Sequence, residues 1–386
     1  MNNKIKYGSE EDFYNMIKNK KILYIPIVSS INRETGEYNL DSDGNINRLV
    51  TAFSINDSFE CLDLVLPKKH SKETKILDAF KENNENINFI FSDFFGIHAG
   101  EQRSNMFIIT NLVNELERNK SFDSYDYVIL DSQYLLIYLN KYNYVDRNKL
   151  IFWNYLCSTK KYQRSFTAPF VDITKDAINI AKYVIVTSPD ILEFTADEKM
   201  DRADDSLFYI PKFVDRKLDI FSKYEEDQEV YDILDSYIES KTIPFYLPFR
   251  LTDEAYKMDL VISDFILPYQ SIAEINGYDI SLIYSDPNNS GEMENFIEKY
   301  PELDKDNIIL QKVSPARDTF YTIIDHPIGV NIPYFEDIDF ANHAAIWEFK
   351  DSNANIWVLP KYDGMLMPYY EKTDTSIFKS YEILKN

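Results

Sequence analysis

Short apolar runs alternate with stretches of helical periodicity along most of this chain, and that alternation restricts the fold more than any other feature. In the first 200 residues the runs at 22–27, 61–66, 87–91, 127–131, 150–154 and 183–187 read as strands. Helical patterns fill the intervals at 46–53, 74–82, 101–118, 133–140 and 174–181. Within 101–118, Met106, Ile109, Leu112, Val113 and Leu116 recur at helix spacing. Strands and helices in this order predict a doubly wound parallel sheet.

A strand at 207–210 leads to Pro211 and then to an acidic helical stretch, 223–240, which reads as the connection between domains. A second strand series follows at 243–247, 280–284, 308–311, 329–332 and 356–359, with helices near 252–265, 291–299, 315–325 and 338–350. The expected fold class is α/β, with two Rossmann-like domains and an interdomain cleft lined by strand carboxyl ends. The expected boundaries are 1–222 for the first domain, 223–241 for a linker and 242–365 for the second domain. A tail, 366–386, is expected to pack back on the first.

At 386 residues and 45% apolar content, the chain is long enough for two cores. No apolar run is long enough to cross a bilayer, and Met1–Lys6 is polar and lacks a signal-peptide core. With only Cys61 and Cys157, a reducing cytoplasm is the expected location. His70, His98, His326 and His343 lack metal-ligand spacing. Only 9 glycines occur, and neither G-x-G-x-x-G nor a P-loop is present, so dehydrogenase and nucleotide-hydrolase readings lose their phosphate-cradling turn. No G-x-S-x-G elbow supports a hydrolase.

The net charge of -23 argues against nucleic acid, because phosphate binding needs a cationic footprint. Its distribution is uneven. Residues 1–200 hold 24 Lys and Arg against 28 Asp and Glu, a net of -4; residues 201–386 hold the remaining 17 against 36, a net of -19.

The second half contains an ordered series of polar positions. Pro248-Phe249-Arg250 follows a strand, with Lys257-Met258 two helical turns on; such cations can neutralise a diphosphate. Alone, each is an ordinary surface charge. Gln311-Lys312-Val313-Ser314-Pro315-Ala316-Arg317 is a strand end, with Ser314 as expected N-cap and Pro315 as first helical residue. Its unpaired backbone groups suit a base edge. A strand at 329–332 then feeds the helix holding Trp347-Glu348.

These three pieces resemble the DNA glucosyltransferases of T-even bacteriophages, especially the β-transferring type with the GT-B fold. The pattern F-R-x-x-x-x-x-x-K-M runs from Phe249 to Met258; Lys312-Val313-Ser314-Pro315 and Ile346-Trp347-Glu348 follow in the family's order. The similarity covers roughly 240–362. The resemblance implies a UDP-sugar co-substrate and no further cofactor: Arg250 would contact the diphosphate, Val313 would meet the uracil through its backbone, and Glu348 would hold the ribose hydroxyls. The chain departs from the family at Glu254 and Ala345, where an Arg is usual, and at Leu247 and Pro248, where glycines are. Lys257 or Arg317 is then left to supply the missing positive charge.

On the acceptor side an inverting transfer needs a carboxylate. The resembled family places an Asp after the strand equivalent to 150–154, but here that strand ends in Asn154. Asp131 and, second, Asp93 stand at neighbouring strand ends. Each is also an ordinary turn or capping Asp. Lys160, Lys161, Tyr162 and Arg164 interleave cations with an aromatic and could grip phosphates and a base; Lys68, Lys69, His70, Lys72 and Lys75 form a second basic patch.

The leading expectation is a monomeric glycosyltransferase moving a sugar from a UDP donor to a hydroxyl, with a hydroxymethylated base of double-stranded DNA as the acceptor that the resemblance implies. Such a base would be flipped from the stack, and the enzyme would work in the host cytoplasm if phage-encoded. The alternatives are transfer to a glycan or small molecule, and a catalytically silent GT-B-like binding protein. Three D-x-D matches (Asp41/Asp43, Asp304/Asp306, Asp337/Asp339) arise easily in so acidic a chain, and metal-independent transfer is expected.

Overall fold

The computed structural model describes residues 6–28, 31, 35–40, 46, 59–70, 74–75, 77–78, 85–94, 106–154, 171–187, 189–198, 206–210, 224–248, 258–286, 291–335, 348–349, 352–359 and 378–380. The chain divides into two compact units, Met1–Val214 and Asp215–Asn386.

The first unit is built on seven strands: β1 (Lys21–Ile25), β2 (Cys61–Pro67), β3 (Ile87–Ser92), β4 (Tyr127–Leu130), β5 (Leu150–Asn154), β6 (Tyr183–Val186) and β7 (Leu207–Tyr209). They lie in the order β3-β2-β1-β4-β5-β6-β7, and every pairing is parallel. This is the doubly wound order, which reverses direction between β1 and β4. Strands of such a sheet are buried on both faces; all of β5 and most of β1, β2 and β4 are buried. The helix Met106–Asn119 buries Ile109, Leu112, Val113 and Leu116, the periodic positions of the sequence. The helices expected at 46–53 and 74–82 fall largely outside the described residues.

The second unit repeats the plan with β8 (Thr242–Leu247), β9 (Asp279–Ser285), β10 (Ile308–Val313), β11 (Asn331–Phe335), β12 (Asn355–Leu359) and β13 (Phe378–Ser380). The order is β10-β9-β8-β11-β12-β13, again all parallel. β11 begins later than expected because Gly329 takes a positive φ of 67° and turns the chain first. The seam between β8 and β11 is thin, with one registered pair, Asn331↔Phe245. Pro244 and Pro333 each remove a ladder donor beside it. The Asn331 side chain compensates: its amide donates to the Pro244 carbonyl at 3.1 Å, and its carbonyl accepts from Trp357 Nε1 at 2.8 Å.

Two segments lie elsewhere than the sequence suggested. The helix Gln228–Ser240, read as a connection, belongs to the second unit and seats Val230, Leu234 and Tyr237 in its core. In the tail expected to return to the first domain, Phe378–Ser380 instead pairs with β12 as the edge strand of the second sheet. Among the described residues no helix is long and apolar enough to cross a membrane.

Candidate functional site

In the second unit, the site grows from the carboxyl end of β10. Val313, its last residue, is buried. Ser314 does not cap the following helix; its Oγ accepts from the Ala316 N–H at 3.2 Å, and the helix Arg317–Asp325 starts two residues later than expected, from Ala316. Pro315 restricts Ser314 to extended backbone, which delays the start. The helix buries Thr319 through Ile324 on several sides, so Arg317 and Tyr321, one turn apart, project into packed surroundings.

They meet Glu348, which is 1% exposed. Arg317 Nη1 donates to both Glu348 oxygens, at 2.9 and 3.0 Å, and Tyr321 Oη donates to Oε1 at 2.8 Å. The guanidinium also stands 5.2 Å from the Phe320 ring centre and 6.0 Å from that of Tyr321. Burial disfavours the charge on Arg317, but Glu348, Tyr321 and Tyr224 together more than offset it, and the arginine is held above its ordinary pKa. Burial, with Glu348 second, pushes the Tyr321 phenol well up. The result is a fixed cation, Arg317, four residues beyond a strand end. Glu348 thus faces this cation and the Tyr321 hydroxyl rather than open solvent.

In the first unit, Asp131 follows β4 directly, beside the end of β1, where the strand order reverses. It is 1% exposed and accepts from Tyr24 Oη at 2.9 Å and from the Ile27 N–H at 3.2 Å, so it ties the two strands together at the switch point. Asp93 is different. It is exposed and pairs with Lys68 Nζ at 2.6 Å, which raises the Lys68 pKa and takes one cation from the basic patch after β2.

Sequence reasoning passed over other buried polar side chains at the same sheet edge. Asn154, ending β5, is 2% exposed; its Nδ2 donates to Thr195 Oγ1 at 3.3 Å, and its Oδ1 makes no hydrogen bond among the described residues. Ser92, ending β3, donates to Glu115 and accepts from the Phe94 N–H at 3.1 Å. Thr187 follows β6 and is equally buried. The available signal was a polar residue closing an otherwise apolar run.

Arg250, Lys257, Lys160, Lys161, Tyr162 and Arg164 lie outside the described residues, as do Glu254, Ala345 and Trp347. Of the D-x-D matches only Asp304/Asp306 is described; it precedes β10, at the amino end of the sheet. Among the described residues no group of three His, Cys, Asp or Glu side chains could hold a metal ion.

No protein-family model matches the chain, and no curated protein matches it by sequence. Solved structures match by fold. A sucrose-phosphate synthase from Thermosynechococcus elongatus superimposes with a TM-score of 0.54 at 13% identity, over 88% of this chain and 81% of that one. A trehalose-6-phosphate synthase gives 0.54 at 8% identity, over 88% and 84%. The E. coli trehalose-6-phosphate protein bound with UDP-2-fluoro glucose gives 0.51 at 9% identity, over 87% and 84%. Identities this low establish a shared fold, and these matches span both units: the chain has the two Rossmann-like units of the GT-B architecture.

Proposed function

We propose that this chain is a glycosyltransferase that moves a sugar from a UDP-sugar donor to a hydroxyl acceptor. The observation that carries the reading is the buried Arg317–Glu348–Tyr321 cluster just past the carboxyl end of β10, in a unit where open α/β sheets bind ligands at strand carboxyl ends. The GT-B likeness supports it, since one similar structure was solved with UDP-2-fluoro glucose.

In this reading the second unit holds the donor. Val313 offers backbone groups to the uracil, and Arg250, Lys257 and Arg317 supply charge against the diphosphate leaving group. Glu348 serves as a positioning residue: at 1% exposure it fixes the Arg317 guanidinium instead of reaching the ribose itself. The first unit holds the acceptor, with Asp131 at the switch point as the carboxylate that takes the acceptor proton and Lys160, Lys161, Tyr162 and Arg164 as the residues proposed to grip the acceptor. Asp93 is the second choice because Lys68 already occupies it. A carbohydrate or small-molecule acceptor suits the net charge of -23 better than DNA does.

The test is direct. A UDP-sugar at about 100 times its dissociation constant should stabilise the protein by roughly 2.7 kcal/mol, and UDP should be released when an acceptor is added. Arg317→Lys keeps the charge but loses the planar fork, and should weaken UDP binding at least tenfold. Asp131→Asn should lower turnover by about 10²–10⁴ while leaving UDP affinity unchanged. The transferase reading fails if no UDP-sugar stabilises the chain and no UDP appears with any acceptor. Release with hydroxymethylated DNA but with no glycan or small hydroxyl compound would reinstate the DNA acceptor.

A further inference from the structure

A cavity of about 160 Å³ opens in the helical layer of the second unit, between the segment before helix Gln228–Ser240 and the end of helix Arg317–Asp325. Its walls carry three tyrosines, Tyr224, Tyr231 and Tyr321, and three carboxylates, Glu225, Glu226 and Asp325. None of the described residues lining it is a lysine or an arginine; the Arg317 guanidinium stands behind the lining, 6.0 Å from the Tyr321 ring centre and paired with Glu348. The Tyr224 and Tyr321 rings lie 4.7 Å apart at 49°. Asp325 closes a helix, so the partial negative charge of the last carbonyls adds to the carboxylates there.

His326 also lines the cavity and is 1% exposed. Its Nδ1 accepts the Ile328 N–H at 3.2 Å, which places the proton of the neutral ring on Nε2. That Nε2 makes no hydrogen bond among the described residues; Asp235 Oδ1 is 3.3 Å away. The Tyr231 ring meets the imidazole edge-on at 4.5 Å. Burial pushes the His326 pKa down against the pull of Asp235, so the ring adds no positive charge near neutral pH.

Aromatic rings and carboxylates lining one cavity attract an organic cation, because the ring quadrupole and the anions act together. A hydrated divalent ion has no use for the rings and needs clustered oxygen ligands. The volume is small beside the roughly 300–1,000 Å³ of drug-sized sites, so the ligand is slender. We propose that this cavity binds one end of a linear aliphatic polyamine, with an ammonium group held among Glu225, Glu226 and Asp325 and its methylenes against the tyrosine rings. The inference does not depend on the transferase reading; the cavity would bind an amine whether or not the chain transfers sugars.

The experiment is titration of the full chain with spermidine at physiological ionic strength, followed by calorimetry. The expected result is saturable one-to-one binding. A Glu226→Gln/Asp325→Asn variant, altered only at exposed positions, should bind at least tenfold more weakly while its melting temperature without ligand is unchanged. Tyr231→Leu removes an aromatic face without altering charge, and should weaken binding by a similar factor. Non-saturating uptake, or the same affinity in both variants, would mean only that a chain of charge -23 attracts polycations, and would overturn the proposal. Equal stabilisation by magnesium chloride, abolished in the same variants, would reassign the cavity to metal and equally overturn it.

Discussion

Asp63 in the first unit and Glu348 in the second are both buried carboxylates, 4% and 1% exposed, yet they are held in different ways. Asp63 sits near the amino end of β2 and accepts from four separate groups: Lys120 Nζ at 2.7 Å, Tyr125 Oη at 2.6 Å, Asn88 Nδ2 at 2.9 Å and Cys61 Sγ at 3.1 Å. Burial pushes its pKa up, but the donors together bring it below the ordinary value. Among the described residues, Glu348 takes two of its hydrogen bonds and its counter-charge from one guanidinium. Redundancy marks a structural network at the sheet end where ligands do not bind. The Glu348 network instead gathers its charge on one guanidinium past a strand carboxyl end, where open α/β sheets bind ligands.

The largest effect should come from removing that guanidinium. Arg317→Met leaves a buried carboxylate without its cation and should cost about 3–5 kcal/mol in denaturant unfolding. Adding Glu348→Leu should recover most of it, since two apolar side chains replace a desolvated pair. Tyr125→Phe removes one charged hydrogen bond of four from Asp63 and should cost about 1.5–3 kcal/mol. Lys120→Met should cost less than either, because that side chain is 38% exposed and solvent screens it. If Lys120→Met proved more damaging than Arg317→Met, the contrast between the two networks would collapse.

Acid separates them next. With its folded pKa below the ordinary 3.8, Asp63 contributes stability that is fully present above about pH 4 and lost as pH falls through the lower folded value. Thermal melts from pH 7 to pH 2.5 should show an acid limb that Asp63→Asn flattens. Arg317, raised above a pKa already beyond neutral, stays charged throughout that range and adds no slope of its own.

How far these features were legible in the sequence follows from their physics. The central strands were plain because both faces of a parallel sheet are covered, which leaves continuous runs such as Leu150-Ile151-Phe152-Trp153. Helix Gln228–Ser240 showed its apolar stripe at Val230, Leu234 and Tyr237, but nothing in that stripe says which core it faces. β13 was hidden: Phe378-Lys379-Ser380 is too short to show a period, and only its pairing with β12 makes it a strand. Asp131 was readable as the polar stop to an apolar run. Its bonds to Tyr24 and Ile27, more than 100 residues away, were not. Arg317 and Glu348 could each be singled out in the sequence as candidates, whereas their pairing depends on a 31-residue separation that no local period encodes.

The smallest expected effect tests whether burial, and not the mere presence of an ion pair, is the variable that separates the networks. Lys68 and Asp93 are each 59% exposed and meet at 2.6 Å, as short as any bond to Asp63. An exposed pair gains little in a high dielectric and gives up side-chain freedom, so Lys68→Ala and Asp93→Asn should each leave the denaturant midpoint unchanged within error. Raising the salt concentration screens the pair further. A loss from Lys68→Ala comparable to that from Tyr125→Phe would show that distance alone ranks these interactions. A negligible loss, set beside a large one at Arg317, makes desolvation the ranking variable.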